Sequence, residues 1–306
     1  MIPKFDILVA GEINPDLILS GNVEPAFGQV EKLVDSAELT IGSSSVIFAC
    51  GAARLGLKVV FVGMCGDDVF GRYMLDEMQQ RGMDVGNVIV APGGSTGLSV
   101  ILNRGTDRAI LTHLGLMSAL KAEDIPDSLL RQARHFHVAS YFLQKDLQLG
   151  LPHLFEHARS LGLTTSLDTN YDPTGLWAGF DQLLAVTNVF LPNKTEACSL
   201  AREENVDLAA SRLSGRVDTL AIKLGADGAL GMQRGEKARV PSIPVEVVDT
   251  IGAGDSFDAG FIYGYLQGWS LEKSLRAGTV CGALSTQKAG GTSAQPTLSE
   301  MLHELS

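Results

Sequence analysis

Residues 249–262 read DTIGAGDSFDAGFI, and the reading of this stretch decides the fold. Three small residues, Gly252, Ala253 and Gly254, divide the apolar run 243–248 from a second apolar run that begins at Phe257, and Asp255 stands where the second run takes on a helical period. A strand, a small-residue turn and a helix in that order let backbone N–H groups at the helix N-terminus approach a ligand closely, where the macrodipole favours developing negative charge. The stretch predicts an anion hole with an acid beside it. The plainer alternative is a tight turn in which Asp255 only complements the helix dipole. The pattern GxGD also marks some membrane-embedded proteases, but no apolar span of this chain is long enough for one.

Working outward, the chain alternates strand and helix patterns. A strand at 5–10 is followed by helix character at 47–55, the strand KVVFVGMCG (58–66) and the helix DVFGRYMLDEMQQRG (68–82). The alternation resumes with HFHVAS (135–140), a helix near 149–161, TTSLDTN (164–170), another helix, NVFLPN (188–193) and TLAIKLG (219–225). This predicts an α/β fold, a mostly parallel sheet covered by helices on both faces. Residues 16–42 and 94–115 break the pattern with apolar–polar alternation and turn signals, and are expected to pair as a small antiparallel β-sheet lying over the site as a lid. No repeat or linker divides residues 1–306, so one domain is expected.

Composition narrows the function. With 24 basic and 35 acidic residues the net charge is −11, which argues against a nucleic-acid partner, although a small anion can still be held by backbone N–H groups and one or two cations. The cysteines Cys50, Cys65, Cys198 and Cys281 form no Cys-x-x-Cys pair and read as free thiols of a reducing compartment. The N-terminus MIPKFDILVAGEIN fits neither a signal peptide nor a membrane span, so a cytoplasmic protein is expected.

The chain has no Gly-Lys dipeptide, hence no Walker A loop, and no Gly-x-Gly-x-x-Gly follows the first strand. In LPNKTEA, Asn193 and Glu196 fall on one side of a starting helix; they suit either a hydrated Mg²⁺ with nucleotide phosphates or a capping box. KLGADGAL (223–230) reads as a nucleotide-contacting turn or a simple hairpin. His153, Glu156 and His157 in HLFEH match the spacing of a zinc peptidase family, without a third ligand in sight. His135 and His137 alternate on a strand, the pattern of packing.

With DTIGAGDSFDAGFI at its C-terminal end and GSSSVIFACGAARLGLKVVFVGMCGDDVFG (42–71) near its N-terminal end, where Gly56 and Gly66 are correctly spaced, the chain resembles the ribokinase family, also called the PfkB sugar kinases. GEINPDL, LDTNYDPTGLW, LPNKTEA and KLGADGAL extend the resemblance, in order, over essentially the whole chain. It implies a ribokinase-like three-layer α/β/α domain and an ATP-dependent phosphotransferase. Asp255 would be the base that takes the proton of a substrate hydroxymethyl group, and the N–H groups around Gly252, Ala253 and Gly254 would neutralise the phosphoryl charge. The resemblance further implies that Asn193 and Glu196 organise Mg²⁺ and phosphates, that Gly225 and Gly228 line the nucleotide site with Thr279 near adenine, and that Asp249, the Ile251 carbonyl and the loop at Gly290 hold a monovalent cation such as K⁺.

Asn14, Asp16, Gly42 and Ser43 stand where the family grips sugar hydroxyls, whereas Ile47 replaces a customary substrate-binding asparagine. Asp172 replaces a frequent arginine, which makes a sugar acid such as 2-keto-3-deoxygluconate a less comfortable ligand and favours a neutral sugar. Lys223 stands where threonine is common and adds a cation beside the nucleotide. The expected protein is therefore a homodimer, joined through its lid sheets, that phosphorylates a primary alcohol of a ketose or pentose. A nucleoside or sugar-acid kinase, or a non-catalytic sugar- or nucleotide-binding member, is the alternative.

Overall fold

Strands buried on both faces read as unbroken apolar runs, and FDILVA (Phe5–Ala10) is the type example, with side chains alternating between two cores. Leu8, Phe136 and Leu167 face one helical layer, while Ile7, Val9 and Val189 face the other. The computed structural model describes residues 3–104 and 107–306. Its eight-stranded sheet runs in the order Glu236–Val240, Ala229–Gln233, Thr219–Lys223, Val189–Phe190, Thr164–Leu167, Ala133–Val138, Phe5–Ala10, Val59–Val62. All neighbours from Thr219–Lys223 onward pair in parallel, and the first two strands add antiparallel at the edge. The chain is a three-layer α/β/α fold.

The helix Lys145–Ser160 and its neighbours cover one face; Ser44–Arg54, Val69–Gln80, Ala253–Leu266 and Leu271–Ser285 cover the other. Ala253–Leu266 docks closely because its small residues permit it. A Cβ on Gly260 would stand 2.6 Å from the Ala277 carbonyl oxygen, so the Ala259-Gly260 pair of the opening stretch is a packing requirement.

The two exceptional segments form a four-stranded sheet in the order Ser36–Ile41, Pro15–Ser20, Leu98–Arg104, Asp107–His113. Each outer pair is antiparallel, and the two pairs join through parallel pairing of Pro15–Ser20 with Leu98–Arg104. Of the expected lid segment 94–115, residues 105 and 106 lie outside the described residues, as do residues 1 and 2 of the expected domain. One expectation fails. Residues 243–248 form no strand: Pro241 and Pro244 remove ladder donors, and the Val248 and Asp249 N–H groups instead donate to the Thr286 carbonyl at 2.8 and 3.0 Å. The strand lies earlier, at Glu236–Val240, and an extended loop carries the chain to the turn.

Candidate active site

Polar side chains gather beyond the carboxyl ends of the parallel strands, where open α/β sheets leave a crevice. Glu12 to Asp16 follow the first strand, Asp168 and Asn170 follow Thr164–Leu167, Asn193 follows Val189–Phe190, and Lys223 ends its own strand. Two cavities open there. One, of about 600 Å³, lies between the 225–228 turn, the extended loop and two helices; Ile243, Val245, Phe257, Gly228 and Thr279 line it. The other, of about 690 Å³, lies under the small sheet and is lined by Asn14, Asp16, Ser43, Ile47, Asn170 and Asp255 among others. Both share Lys223, Gly225 and Gly254, so they meet at the small-residue turn.

The turn needs its glycines. Gly252 has φ +70°, and a Cβ there would stand 2.7 Å from the Gly291 Cα and 2.9 Å from Ile47. No side chain caps the helix that follows, which leaves first-turn N–H groups available to an anion. Asp255 lies in that first turn, 7% exposed. Burial pushes its carboxyl well above the usual range and Asp168 adds to this, while Lys223 and the Ser44 hydroxyl pull the other way.

Asp255 belongs to a cluster that the sequence reading missed. Asp258, three residues on and hence on the same helix face, and Asp168 each place an oxygen within 4.8 Å of one on Asp255. The Lys223 ammonium donates to Asp168 Oδ2 at 2.9 Å and to both Asp258 oxygens at 3.1 Å. Burial opposes the charge on Lys223, but Asp168, Asp258 and Glu196 outweigh it and hold the ammonium above its usual range. Burial raises Asp258 well above a normal carboxyl, whereas Lys223 and hydrogen bonds overcome burial at Asp168 and lower it. Lys223 is thus an ion-paired cation at the junction of the cavities.

Asn193 and Glu196 form a reciprocal capping box: the Asn193 N–H donates to Glu196 Oε2 at 2.8 Å, and the Glu196 N–H to Asn193 Oδ1 at 3.0 Å. Burial first, then Asp168, pushes the Glu196 carboxyl up to about 7. Both residues line the 690 Å³ cavity beside Lys223. KLGADGAL is the hairpin, and its glycines also border the nucleotide-sized cavity. The Thr279 hydroxyl donates to the Arg276 carbonyl at 2.9 Å.

Under the small sheet, Asn14 Nδ2 donates to Asp16 Oδ1 at 3.2 Å, and Asn14 Oδ1 is buried without a partner among the described residues. Gly42 makes room for this pair, since a Cβ would stand 2.2 Å from Asp16 Oδ1. Burial pushes Asp16 up to about 7 despite the attraction of Arg108. The Ser43 hydroxyl lies 2.7 Å from the Glu12 carbonyl and caps Ser44–Arg54, and Glu12 in turn accepts from the Ser45 hydroxyl at 2.6 Å. Glu12 and Arg108 also line this cavity, and neither was singled out from sequence.

Asp249 accepts the Ile251 and Gly290 N–H groups, each at 3.0 Å, one per carboxylate oxygen, and Arg108 lies 3.9 Å away. Asp172 braces its own loop, accepting from Thr174 N–H at 2.8 Å and Trp177 N–H at 2.7 Å. The HLFEH side chains do not converge. His153 is 92% exposed, His157 pairs with Asp127, and among the described residues only Asp168, Asp255 and Asp258 group as metal ligands would. His135 and His137 are packed in the core; His137 stacks on Phe48 at 3.6 Å. Among the described residues no helix is long and apolar enough to cross a membrane.

Residues 4–298 match the profile described as pfkB family carbohydrate kinase. A ribokinase of Haemophilus influenzae is 27% identical over 98% of this chain and 98% of its own length. A 5-dehydro-2-deoxygluconokinase of Geobacillus thermodenitrificans is 29% identical over 85% of this chain and 82% of its own. Among solved structures, a candidate ribokinase II of Escherichia coli in complex with ATP and Mg²⁺ superposes with a TM-score of 0.88 at 22% identity, covering 98% of this chain and 99% of that one, a likeness of fold.

Proposed function

The chain belongs to the pfkB family of carbohydrate kinases, and from that premise we propose that it transfers the γ-phosphoryl group of ATP to a primary hydroxyl of a small neutral sugar, with Asp255 as general base. The observation that carries this reading is the meeting of two cavities at Gly254, with an acid at a bare helix N-terminus beside them. The apolar cavity takes the nucleoside, with Lys223, Gly225, Gly228 and Thr279 around it. The polar cavity takes the sugar, whose hydroxyls meet Asn14, Asp16 and Ser43 over Ile47 and the Gly42 bend. The hydroxyl oxygen attacks the γ-phosphorus, the bond to the ADP oxygen breaks, and Asp255 receives the proton late in a loose transition state. N–H groups at Gly252, Ala253 and Gly254 then neutralise charge on the transferring oxygens.

Mg²⁺ fits beside Asn193 and Glu196. Each Glu196 oxygen accepts one hydrogen bond in the capping box and keeps a lone pair for a water on the ion. Mg²⁺ supplies charge neutralisation of the phosphates when bound. A monovalent cation such as K⁺ fits Asp249 for the same reason, with the Ile251 carbonyl and the Gly290 loop completing the site. We read residues 1–306 as one kinase domain. The outer face of the small sheet carries two apolar rows by register, Leu39, Leu17, Val100, Leu111 and Ala37, Leu19, Leu102, Ala109, which suits a homodimer joined through the lids.

The lining acids Glu12, Asp16, Asp168, Glu196 and Asp255 support a neutral sugar. Arg108 favours a second reading, a sugar acid, because its guanidinium reaches the same cavity. Incubation with ATP, Mg²⁺ and a panel of neutral sugars, sugar acids and nucleosides tests both, with ADP release as readout. Ligand-induced thermal stabilisation without ADP release from any of them would make the protein a binding member of the family.

A further inference from the structure

We propose that Lys223 is a catalytic residue, its ammonium meeting the phosphoryl group as it crosses between the cavities, with Asp168 and Asp258 as the positioning residues that aim it. The inference rests on the kinase reading above and deepens it. Among the described residues Lys223 is the only charged side chain lining the 600 Å³ cavity, and it also lines the other, so it stands at the neck that the terminal phosphate of a nucleotide in the first cavity must reach. It lies against the turn itself: a Cβ on Gly254 would stand 3.6 Å from Lys223 Nζ, with no other side chain between.

The hydrogen-bond inventory leaves a donor for the phosphoryl group. An ammonium has three N–H bonds. One goes to Asp168 Oδ2 and one is shared between the two Asp258 oxygens, which leaves the third without a partner among the described residues. Two nearly fully buried carboxylates, with side-chain exposures of 2% and 1%, fix the nitrogen from behind. Such pre-organisation is what electrostatic stabilisation of a transferring group requires. Lys223 makes and breaks no covalent bond: the hydroxyl oxygen gains phosphorus, ADP departs with the bond electrons, and the proton goes to Asp255.

The test uses Lys223→Met combined with Asp168→Asn, which removes the cation and its paired charge together so that the cluster stays balanced; melting curves verify the fold. The expected result is a loss of about 10²–10³-fold in kcat, with Mg·ADP affinity within threefold of wild type. Calorimetry should also show that the variant loses wild type's preference for a non-hydrolysable Mg·ATP analogue over Mg·ADP. Lys223→Arg, which keeps the charge but not the nitrogen's position, should lose at least tenfold in kcat at unchanged Mg·ADP affinity. Asp168→Asn alone should lower kcat without moving Mg·ADP affinity. Asp258→Ala should do the same, and Asp258→Asn, which keeps an acceptor on Lys223, should recover part of the loss. A double variant with kcat within tenfold of wild type, or with an unchanged preference for the ATP analogue, overturns the proposal. If no sugar is turned over by wild type, the kinase reading fails, and the nucleotide comparison still decides whether Lys223 meets the γ-phosphate.

Discussion

Gly254→Ala separates stability from turnover at a single methyl group. The three nearest atoms to the added carbon would be Cδ and Nζ of Lys223 at 3.6 Å and its Cε at 3.8 Å, ordinary van der Waals contact with a flexible side chain. The protein therefore tolerates it. Gly254 is the second residue of Ala253–Leu266 and takes no positive φ, so exchanging glycine for alanine there should stabilise by up to about 1 kcal/mol. That corresponds to a melting temperature raised by roughly 1–3 °C at this chain length. The methyl group nevertheless fills the neck shared by both cavities, where a phosphoryl oxygen must reach the backbone N–H. Displacing the reacting groups by about 1 Å costs on the order of 10²-fold in rate, or roughly 2.7 kcal/mol of barrier. Differential scanning fluorimetry and coupled measurement of ADP release provide the two readouts. Turnover within threefold of wild type would refute the assignment of the turn as the anion hole. A melting temperature lowered by more than about 5 °C would refute the claim that the neck has room for a methyl group.

Gly252→Ala should act in the opposite sense on stability: positive φ costs about 1–2 kcal/mol and the collision with Gly291 backbone adds to it, so urea titration should show a clear loss. Asp255→Asn should reduce kcat by at least about 10³-fold while calorimetric sugar affinity stays within a few-fold; wild-type turnover would remove Asp255 from the mechanism. Asp16 has a folded pKa of about 7 against 3.8 for the free side chain, so its contribution to stability is full below pH 4 and is lost as pH rises through 7. Asp16→Asn should accordingly stabilise the protein at pH 8 by up to roughly 4 kcal/mol and leave it unchanged near pH 4. In wild type, KM for a sugar should fall as Asp16 ionises and becomes a pure acceptor, a trend that initial rates from pH 6 to 8 will reveal. Among the described residues Arg108→Ala breaks one ion pair, the 3.9 Å contact with Asp249, so stability should change by less than about 0.5 kcal/mol; KM for a neutral sugar should change less than threefold, whereas a rise above tenfold for a sugar acid would favour that substrate.

Much of this architecture was legible because apolar period and turn chemistry act locally. The parallel sheet, the two lid segments and the glycine turn each announce themselves within a few residues, and the small residues Gly252 and Gly260 are small for steric reasons that the packing bears out. The strand expected at 243–248 misled because a valine-rich run satisfies the local pattern, while Pro241, Pro244 and the bonds from Val248 and Asp249 N–H to the Thr286 carbonyl decide the outcome. Capping also blurred function, since Asn193 and Glu196 obey the same spacing whether or not an ion is held. The cluster around Lys223 was illegible for a different reason. Its partners stand 55 residues before it, just past a strand end, and 35 after it, on a helix, so no window of sequence contains the pairing. Taken alone, Lys223 reads as an additional cation near phosphates, and Asp258 as one more polar residue in an apolar helix. Only the fold makes them a unit, and the unit constrains the chemistry. Three buried carboxylates around one ammonium would repel an incoming polyphosphate unless a proton is retained among them. Asp168 is lowered whereas Asp258 and Asp255 are both raised, so the retained proton belongs to the two helix residues and not to Asp168. Of the two, Asp255 has no hydrogen bond to Lys223 among the described residues and lines the polar cavity, which places it, once ionised, to accept a hydroxyl proton when the sugar arrives.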